Sequence, residues 1–484
     1  MQEDQMIEDA PMMGPEAPEQ IDPSMFRPDF SEPNLDPRDP ATNTYTMVKT
    51  RFEKKCFKVC YPFQFGVILK NGTTFFIKYP SLAPYFSDLA YFRPATEYKP
   101  ASWLPFIQAW LKDHTMRIYL GVVVDPTRAL SENFNMWKGF LAETLPPVPE
   151  ADVAELVQPI INHLHLVITN KIQAHTDWMV KWFANHVKRP EKKTAVVIVA
   201  FGKDGAGKDI IPCFHRTCVL GKDHSYQTAN LDHDVFSKHA DGHVNRVFLQ
   251  ADEVSCHTHE MRERLKDLVT CETLNYEPKF AGRMALNNLI NMYMTTNHEN
   301  AMTPSPTDRR FVMFRCYNGL LGNKEYFDKL GEHLERPEVA RAWYQHLMAQ
   351  DLSQFKHSFQ SSRPLTEYYK EAQYASIPGV SRFLSAVVNL QFLDQDEDHS
   401  GQNLVVKDSY VEVSAKLFYQ KYQSFHTAGN YKCLQTQTSF GREVKRVNGV
   451  SKQKTRVGYS YALDLTKIKQ HLVDANEYDD DAAI

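Results

Sequence analysis

One stretch restricts the fold of this chain more than any other. The eight residues Thr194–Phe201 (TAVVIVAF) run without a break into Gly202–Asp209 (GKDGAGKD). A short apolar run bounded by charge on one side and glycine on the other is the pattern of a strand buried on both faces of a parallel sheet. The octapeptide fits G-x-x-x-x-G-K, a phosphate-binding loop, up to its last position, where Asp209 stands in place of Ser or Thr. Glycines let backbone N–H groups turn toward phosphate oxygens, and the helix that begins here points its positive end at the same oxygens. Gly202, Lys203, Asp204, Gly205, Ala206, Gly207, Lys208 and Asp209 are therefore expected to cradle a nucleotide, with Lys208 supplying charge for the β and γ phosphates. ATP with Mg²⁺ is the expected ligand pair. The plainer reading, a glycine-rich turn between a strand and a helix, does not by itself call for the lysine.

Two further apolar runs follow, Arg246–Ala251 (RVFLQA) and Leu289–Thr296 (LINMYMTT), and a fourth at Phe311–Phe314. Helical patterns separate them, notably His259–Val269, so the segment is expected to be an α/β domain. Chemistry-bearing residues sit at the ends of these runs. Asp252 and Glu253 close the second: Asp252 is expected to hold magnesium together with Asp209, and Glu253 to orient and deprotonate the attacking water. Asn297 closes the third and is placed to act as a polar sensor, orienting the same water or touching the γ-phosphate. Arg309 and Arg310 follow Asp308 and precede the fourth, and an arginine there acts in trans on a neighbouring subunit's phosphate. Taken singly, these are also a charged strand end, a turn asparagine and two solvated arginines. Their order and spacing, fewer than a hundred residues from Gly202 to Asn297, favour one site.

The 484 residues imply two to four domains. Residues 1–43 hold eleven Asp or Glu against Arg27 and Arg38, with repeated prolines, and are expected to be a disordered tail. Residues 44–190 are expected to form an α+β and helical collar domain. Its strands are placed at Phe57–Tyr61, Phe65–Leu69 and Arg117–Val124, and its helical stretch at Ala151–Val187 has Trp178, Trp182 and Phe183 on one face. Pro190 and Glu191-Lys192-Lys193 mark the boundary with an ATPase domain over 191–355. Residues 356–475 carry helices near Pro378–Leu390, Ala415–Phe425, Thr438–Val447 and Leu465–Leu472, and a strand at Gly458–Leu463, a pattern that fits a winged-helix module. Residues 476–484 read as an acidic tail. The net charge of −4 excludes a general polyanion-binding surface but not a local one. Lys416, Lys421, Arg442, Lys445, Arg446, Lys452, Lys454 and Arg456 are candidates for contacts to DNA phosphates, or else a solvated face. The apolar runs are too short to span a membrane, and the eight scattered cysteines fit a reducing intracellular compartment. Cys56/Cys60 and Cys213/His215/Cys218 lack the four-ligand spacing of structural zinc.

The ordered set resembles the superfamily 3 helicases found in the primase–helicases of large DNA viruses, some phages and related mobile elements. Trp178–Trp182 with Pro190 and Lys193 resembles that family's lead-in helix. Leu265–Thr270 and Asn275–Arg283 resemble its segment between acidic pair and sensor, and Thr295-Thr296-Asn297 and Asp308-Arg309-Arg310-Phe311 resemble its sensor and arginine motifs. The resemblance covers about residues 50–475 and is strongest from 170 to 320. It implies an AAA+-like P-loop ATPase fold, a homo-oligomeric ring, usually a hexamer, around single-stranded or forked DNA, and hydrolysis at subunit interfaces. It places Lys279 near a hairpin tip facing the channel, with Phe280 beside it to stack on a base. It also implies a place of action at an intracellular replication site, in host cytoplasm or nucleus, with a separate primase or polymerase as partner, because nothing before residue 190 reads as a primer-synthesis site. The departure at Asp209 keeps a slowly hydrolysing replication initiator open as an alternative, and a P-loop ATPase acting on protein is a third.

Overall fold

The computed structural model describes residues 27–32, 35–237, 240, 242–254, 259–277, 283–298, 301–302, 304–305, 308–355, 358–389, 404–407, 409–429, 434–456, 458–475 and 477–478. These fall into two compact units, one of residues 1–139, 232–246 and 271–289, the other of 140–231, 247–270 and 290–484. It is a mixed α/β structure with several separate sheets.

In the first unit a four-stranded sheet runs in the order Thr74–Ile77, Gln64–Ile68, Cys56–Val59, Ile118–Tyr119. Its first three strands are antiparallel, and Ile118–Tyr119 adds in parallel. The helix Tyr45–Lys55 packs Val48 and Phe52 into a core with Val67, Phe86, Phe106 and Trp110. The Trp110 indole N–H donates to Glu53 Oε1 at 2.8 Å, so this large ring is buried without stranding its polar atom. The stretch expected as one strand at 117–124 is two, Ile118–Tyr119 and Val122–Val123, interrupted at Gly121. The expected tail through residue 43 is also corrected: Arg27 pairs with Asp88 at 2.8 Å and the Phe30 ring stacks on Phe52 at 5.7 Å. Phe30, packed against Phe52 and Phe86, ties this part of the acidic, proline-rich segment to the core; residues 1–26, 33 and 34 lie outside the described residues.

A second piece of this unit comes from far along the chain. Thr273–Tyr276 and Met284–Asn287 pair antiparallel, with Thr273 opposite Asn287, and Met284 and Leu286 are buried with Phe57, Val59 and Val122. The alternating burial of Met284–Asn287 (buried, exposed, buried, exposed) is what puts those two apolar side chains into that core. Lys279 and Phe280 fall between the paired strands and lie outside the described residues.

The second unit is built on a five-stranded, all-parallel sheet in the order Ser225–Thr228, Phe248–Ala251, Asn291–Thr296, Val197–Phe201, Phe311–Arg315. Four of its strands are the apolar runs of the sequence, and nearly every residue in them is buried. The fifth, Ser225–Thr228 (SYQT), forms one edge and was not foreseen, because a short polar edge strand has no apolar signature. Helix Pro337–Ala349 packs on both Glu150–His163 and Gln173–Lys188 within this unit, and Trp182, Phe183 and Trp343 are completely buried. The division between the units therefore falls near residue 139 rather than at the expected 190. The apolar stripe of Gln173–Lys188 has its packing partners in the second unit, and this outweighs the proline and charge that follow it.

The same packing buries two histidines. His186 Nδ1 lies 3.3 Å from His215 Nε2, and both rings are sealed by Trp182, Phe183 and Phe248. Burial lowers the His215 pKa to about 3, and burial together with its neighbour holds His186 well below its ordinary value. A histidine whose folded pKa is depressed favours folding fully above its unfolded pKa, and that contribution is lost as pH falls. Between pH 6.5 and 3 the unfolded chain takes up protons that the folded chain refuses. Lowering the pH from 7 to 5 should therefore remove about 2 kcal/mol through His215. A melting temperature that falls over this range, and falls less in His215→Leu, is the expected result; a pH-independent melting temperature would contradict it.

The C-terminal part of the second unit has its own core. A four-stranded antiparallel sheet, Leu404–Lys407, Tyr410–Ser414, Gly458–Asp464, Val450–Thr455, packs with helices Gly379–Val388, Ala415–Ala428, Gln437–Val444 and Leu465–Asp474 around Phe383, Phe418, Tyr422, Phe440 and Leu463. Ser414, Thr436 and Asp464 cap the last three of these helices by accepting from the N–H three residues on. The expected strand at Gly458–Leu463 is thus one of four in a larger sheet. The segment expected as an acidic tail from residue 476 begins with ordered contacts, since Ser381 Oγ donates to Glu477 Oε2 at 2.6 Å. Residues 476 and 479–484 lie outside the described residues. No helix among the described residues is long and apolar enough to cross a membrane.

Candidate functional site

The register of the parallel sheet brings three of the expected motifs to one edge. Thr296 is opposite Phe201, and Ala251 is opposite Met294. The glycine loop after Phe201, Asp252 after Ala251 and Asn297 after Thr296 therefore all leave the sheet at its carboxyl end. This edge is where ligands bind in parallel α/β sheets, because the strand ends and following loops diverge there.

The loop itself is tied on both sides. Gly202 N–H donates to the Thr296 carbonyl at 3.1 Å, and Lys203 N–H donates to Asn318 Oδ1 at 3.2 Å. Gly205 and Gly207 have φ of +77° and +86°, the left-handed region that an L side chain resists. Behind Gly207 stands His163, whose Nε2 is 2.8 Å from the Gly207 carbonyl oxygen and whose Nδ1 is 3.0 Å from the Tyr326 hydroxyl. Burial lowers the His163 pKa, so the ring is neutral, with Nε2–H donating to Gly207 and Nδ1 accepting from Tyr326. The Tyr293 hydroxyl donates to the Lys208 carbonyl at 2.9 Å.

Lys208 is only 5% exposed. Its Nζ is 3.4 Å from Asp204 Oδ1, and Asn297 Nδ2 donates to the other oxygen of Asp204 at 3.3 Å. Asp204 thus gathers the loop lysine and the sensor asparagine, and the hydrogen bonds from Asn297 and Lys208 hold its carboxyl below the usual range.

The two candidate metal-binding carboxylates are also close neighbours. Asp252 Oδ1 accepts from Thr295 Oγ1 at 3.3 Å and from Gln250 Nε2 at 3.1 Å, while its Oδ2 accepts from Gln227 Nε2. Gln227 is in turn gripped by Arg216 Nη2 at 2.6 Å. Burial raises the Asp209 pKa and the charge of Asp252 adds to the rise, with Lys208 and the Thr295 hydroxyl pulling the other way. Asp209 Oδ1 is buried with no hydrogen-bond partner among the described residues. An orphaned buried carboxylate oxygen beside a second carboxylate suits a hard divalent cation. No group of three His, Cys, Asp or Glu among the described residues is arranged to hold a metal. Glu253 is exposed and has φ of +52°, a strained conformation for a non-glycine residue and one that clusters at functional sites.

The arginines are placed elsewhere. Phe311 is opposite Val197, at the start of the parallel strands, so Arg309 and Arg310 leave the sheet at the end opposite the glycine loop. Five residues of strand put about 15 Å between the two ends, beyond the reach of an arginine to the same chain's loop. Arg310 N–H donates to Asp308 Oδ1 at 2.9 Å, and its guanidinium lies 3.7 Å from that oxygen. Arg309 is exposed, with no partner among the described residues. His163, Tyr293, Gln227 and Asn318 were not anticipated: each reaches the site from a separate element, and none carries a local motif.

Residues 200–310 match a family described as a family of unknown function (DUF5906). No curated protein matches the chain. Among solved structures, the A form apo structure of the NrS-1 C terminal region is similar, with a TM-score of 0.59 and 18% identity over 87% of this chain and 98% of that one. A second apo structure of the same region has a TM-score of 0.59 and 17% identity over the same shares. At that identity the likeness shows a shared fold.

Proposed function

We propose that this chain is an ATP-dependent DNA helicase of superfamily 3, a P-loop ATPase of the AAA+ type with a C-terminal winged-helix domain, moving on single-stranded DNA during replication of a viral or mobile-element genome. The observation that carries the reading is the meeting of Lys208, Asp209, Asp252 and Asn297 at the carboxyl edge of a parallel sheet whose P-loop strand lies between the Asn291–Thr296 and Phe311–Arg315 strands. The fold shared with the NrS-1 C terminal region is compatible with it. In this reading Lys208 and the loop N–H groups bind the phosphates. Asp209 and Asp252 would hold Mg²⁺, which when bound neutralises charge on the β and γ phosphates. Glu253 takes a proton from the attacking water, and Asn297 orients that water. Arg309, at the far end of the sheet, serves a neighbouring copy's nucleotide, which requires a ring, usually a hexamer. Lys279 and Phe280 grip the strand.

The test is ATP turnover with and without single-stranded DNA, alongside strand displacement on a forked duplex. Turnover stimulated by DNA, together with displacement, is expected. Absence of turnover in the presence of DNA and Mg²⁺ would sink the motor. One observation favours a second reading, a replication initiator with weak hydrolysis: the carboxylate of Asp209 stands where a neutral hydroxyl is usual, and its charge opposes that of bound phosphate. Tight nucleotide binding with negligible turnover would select it.

A further inference from the structure

The stretch Leu145-Pro146-Pro147-Val148-Pro149 joins the short 3₁₀ helix Leu141–Thr144 to the helix Glu150–His163. Leu145, Pro146 and Val148 each precede a proline, which turns them away from the helical region, and the rings fix φ of the prolines at about −65°. The backbone accordingly has φ −82° and ψ 148° at Leu145, and φ −55° and ψ 137° at Pro149. These are the angles of a polyproline II helix. Such a helix makes no hydrogen bonds of its own, so an outside group must hold it. Gln345 does so. Its Oε1 accepts from the Val148 N–H at 2.8 Å, and its Nε2 donates to the Val148 carbonyl at 2.9 Å.

A polyproline II helix repeats about every three residues, so it has three edges. Leu145 and Val148 share the edge turned to the body, the first half-buried and the second buried. Pro146 and Pro149 share another edge and are exposed, and Pro147 is exposed on the third. A cleft of about 520 Å³ runs beside this ledge, lined by the ledge itself with Asp152, Glu155, Leu156 and Pro337 among others. The charge around the five residues is of one sign. Glu143, Glu150, Asp152 and Glu155 are exposed, and none of the four forms an ion pair among the described residues. Arg336, the cation that lines the cleft, is held by Glu338 at 2.8 Å.

We propose that this ledge is a docking site for a partner protein that takes polyproline II ligands into an aromatic-lined groove with a basic rim. The ledge is already fixed in the conformation such grooves accept, so little ordering remains to oppose binding. Pro146, Pro147 and Pro149 have no N–H, so the ledge offers mainly acceptors, which suit the indole N–H and phenol O–H donors of an aromatic groove. Two exposed prolines on one edge present the paired rings that such grooves hold. The unpaired acids select a basic rim and repel both an acidic rim and nucleic acid. Docking here does not depend on the ATPase reading.

The experiment titrates the full chain by calorimetry with two purified polyproline-binding domains, one with a basic rim to its groove and one with an acidic rim. The basic-rimmed domain should bind saturably, and more weakly as salt rises. Pro146→Ala/Pro149→Ala should weaken that binding at least about tenfold. Asp152→Lys/Glu155→Lys should move the preference toward the acidic-rimmed domain. Gln345→Ala leaves every ledge residue in place and should also weaken binding, because the ledge must then be ordered on docking. Melting temperatures check that each variant folds. No saturable binding of the basic-rimmed domain, or binding unchanged in Pro146→Ala/Pro149→Ala, would overturn the proposal. So would self-association of the chain that the same double variant abolishes, since the ledge would then serve a second copy. Lys208→Ala should bind the probe as tightly as the unaltered chain, which separates failure of this surface from failure of the ATPase.

Discussion

Lys208→Ala should abolish measurable ATP turnover while leaving the protein as stable as before. The lysine is 5% exposed, and its partner among the described residues is Asp204, at the long distance of 3.4 Å and with that carboxylate largely in solvent. A buried cation so weakly compensated contributes little to folding, because desolvation offsets its Coulomb attraction. Its removal is expected to change stability by no more than about 1 kcal/mol. The catalytic loss should be on the order of 10²–10³-fold or greater, as when a preorganised charge is taken from a developing anion. Melting temperature and turnover measured together make the distinction. A variant that unfolds at lower temperature and loses activity in proportion would show that Lys208 is a structural residue and the loop merely a turn.

Gly207→Ala should fail in a different way, through the backbone. A Cβ at that position would lie 2.8 Å from Phe327 Cε1 and 2.9 Å from His163 Cε1, and φ is +86°. Left-handed strain costs about 1–2 kcal/mol, and overpacking against two rings adds a similar amount. A loss of about 2–4 kcal/mol is therefore expected, with turnover lost because His163 and the Gly207 carbonyl are pushed apart. Gly205→Ala is the control: φ is +77°, but the nearest atom to its Cβ is Leu321 Cδ2 at 3.7 Å, so only the strain of about 1–2 kcal/mol applies. Chemical denaturation of the two variants should rank them in that order. Equal destabilisation would mean that the wall of His163 and Phe327 yields freely and does not brace the loop.

Much of the candidate site was legible in the sequence because its parts are local. A parallel strand buried on both faces must be an unbroken apolar run, so Val197–Phe201, Phe248–Ala251, Asn291–Thr296 and Phe311–Arg315 announced themselves, and the residues that end them, Asp252 and Asn297 above all, could be named with them. The glycines and Lys208 were equally plain, since a loop that turns its N–H groups inward needs residues tolerant of positive φ. The edge strand Ser225–Thr228 was not legible: an edge position tolerates polar residues, and SYQT carries no periodicity to read.

The sequence by itself determined the order of the motifs and the residue type at each, because backbone conformation and strand burial are dictated by neighbours in the chain. The tertiary structure alone decided which of them meet. Sheet register put the loop, Asp252 and Asn297 at one edge and sent Arg309 and Arg310 to the other. Helix packing brought His163 behind Gly207 and drew 150–188 into the second unit, while the buried face of Met284–Asn287 joined the first. Proximity across dozens of residues follows from which apolar faces find one another, and that choice belongs to the whole chain rather than to any segment of it.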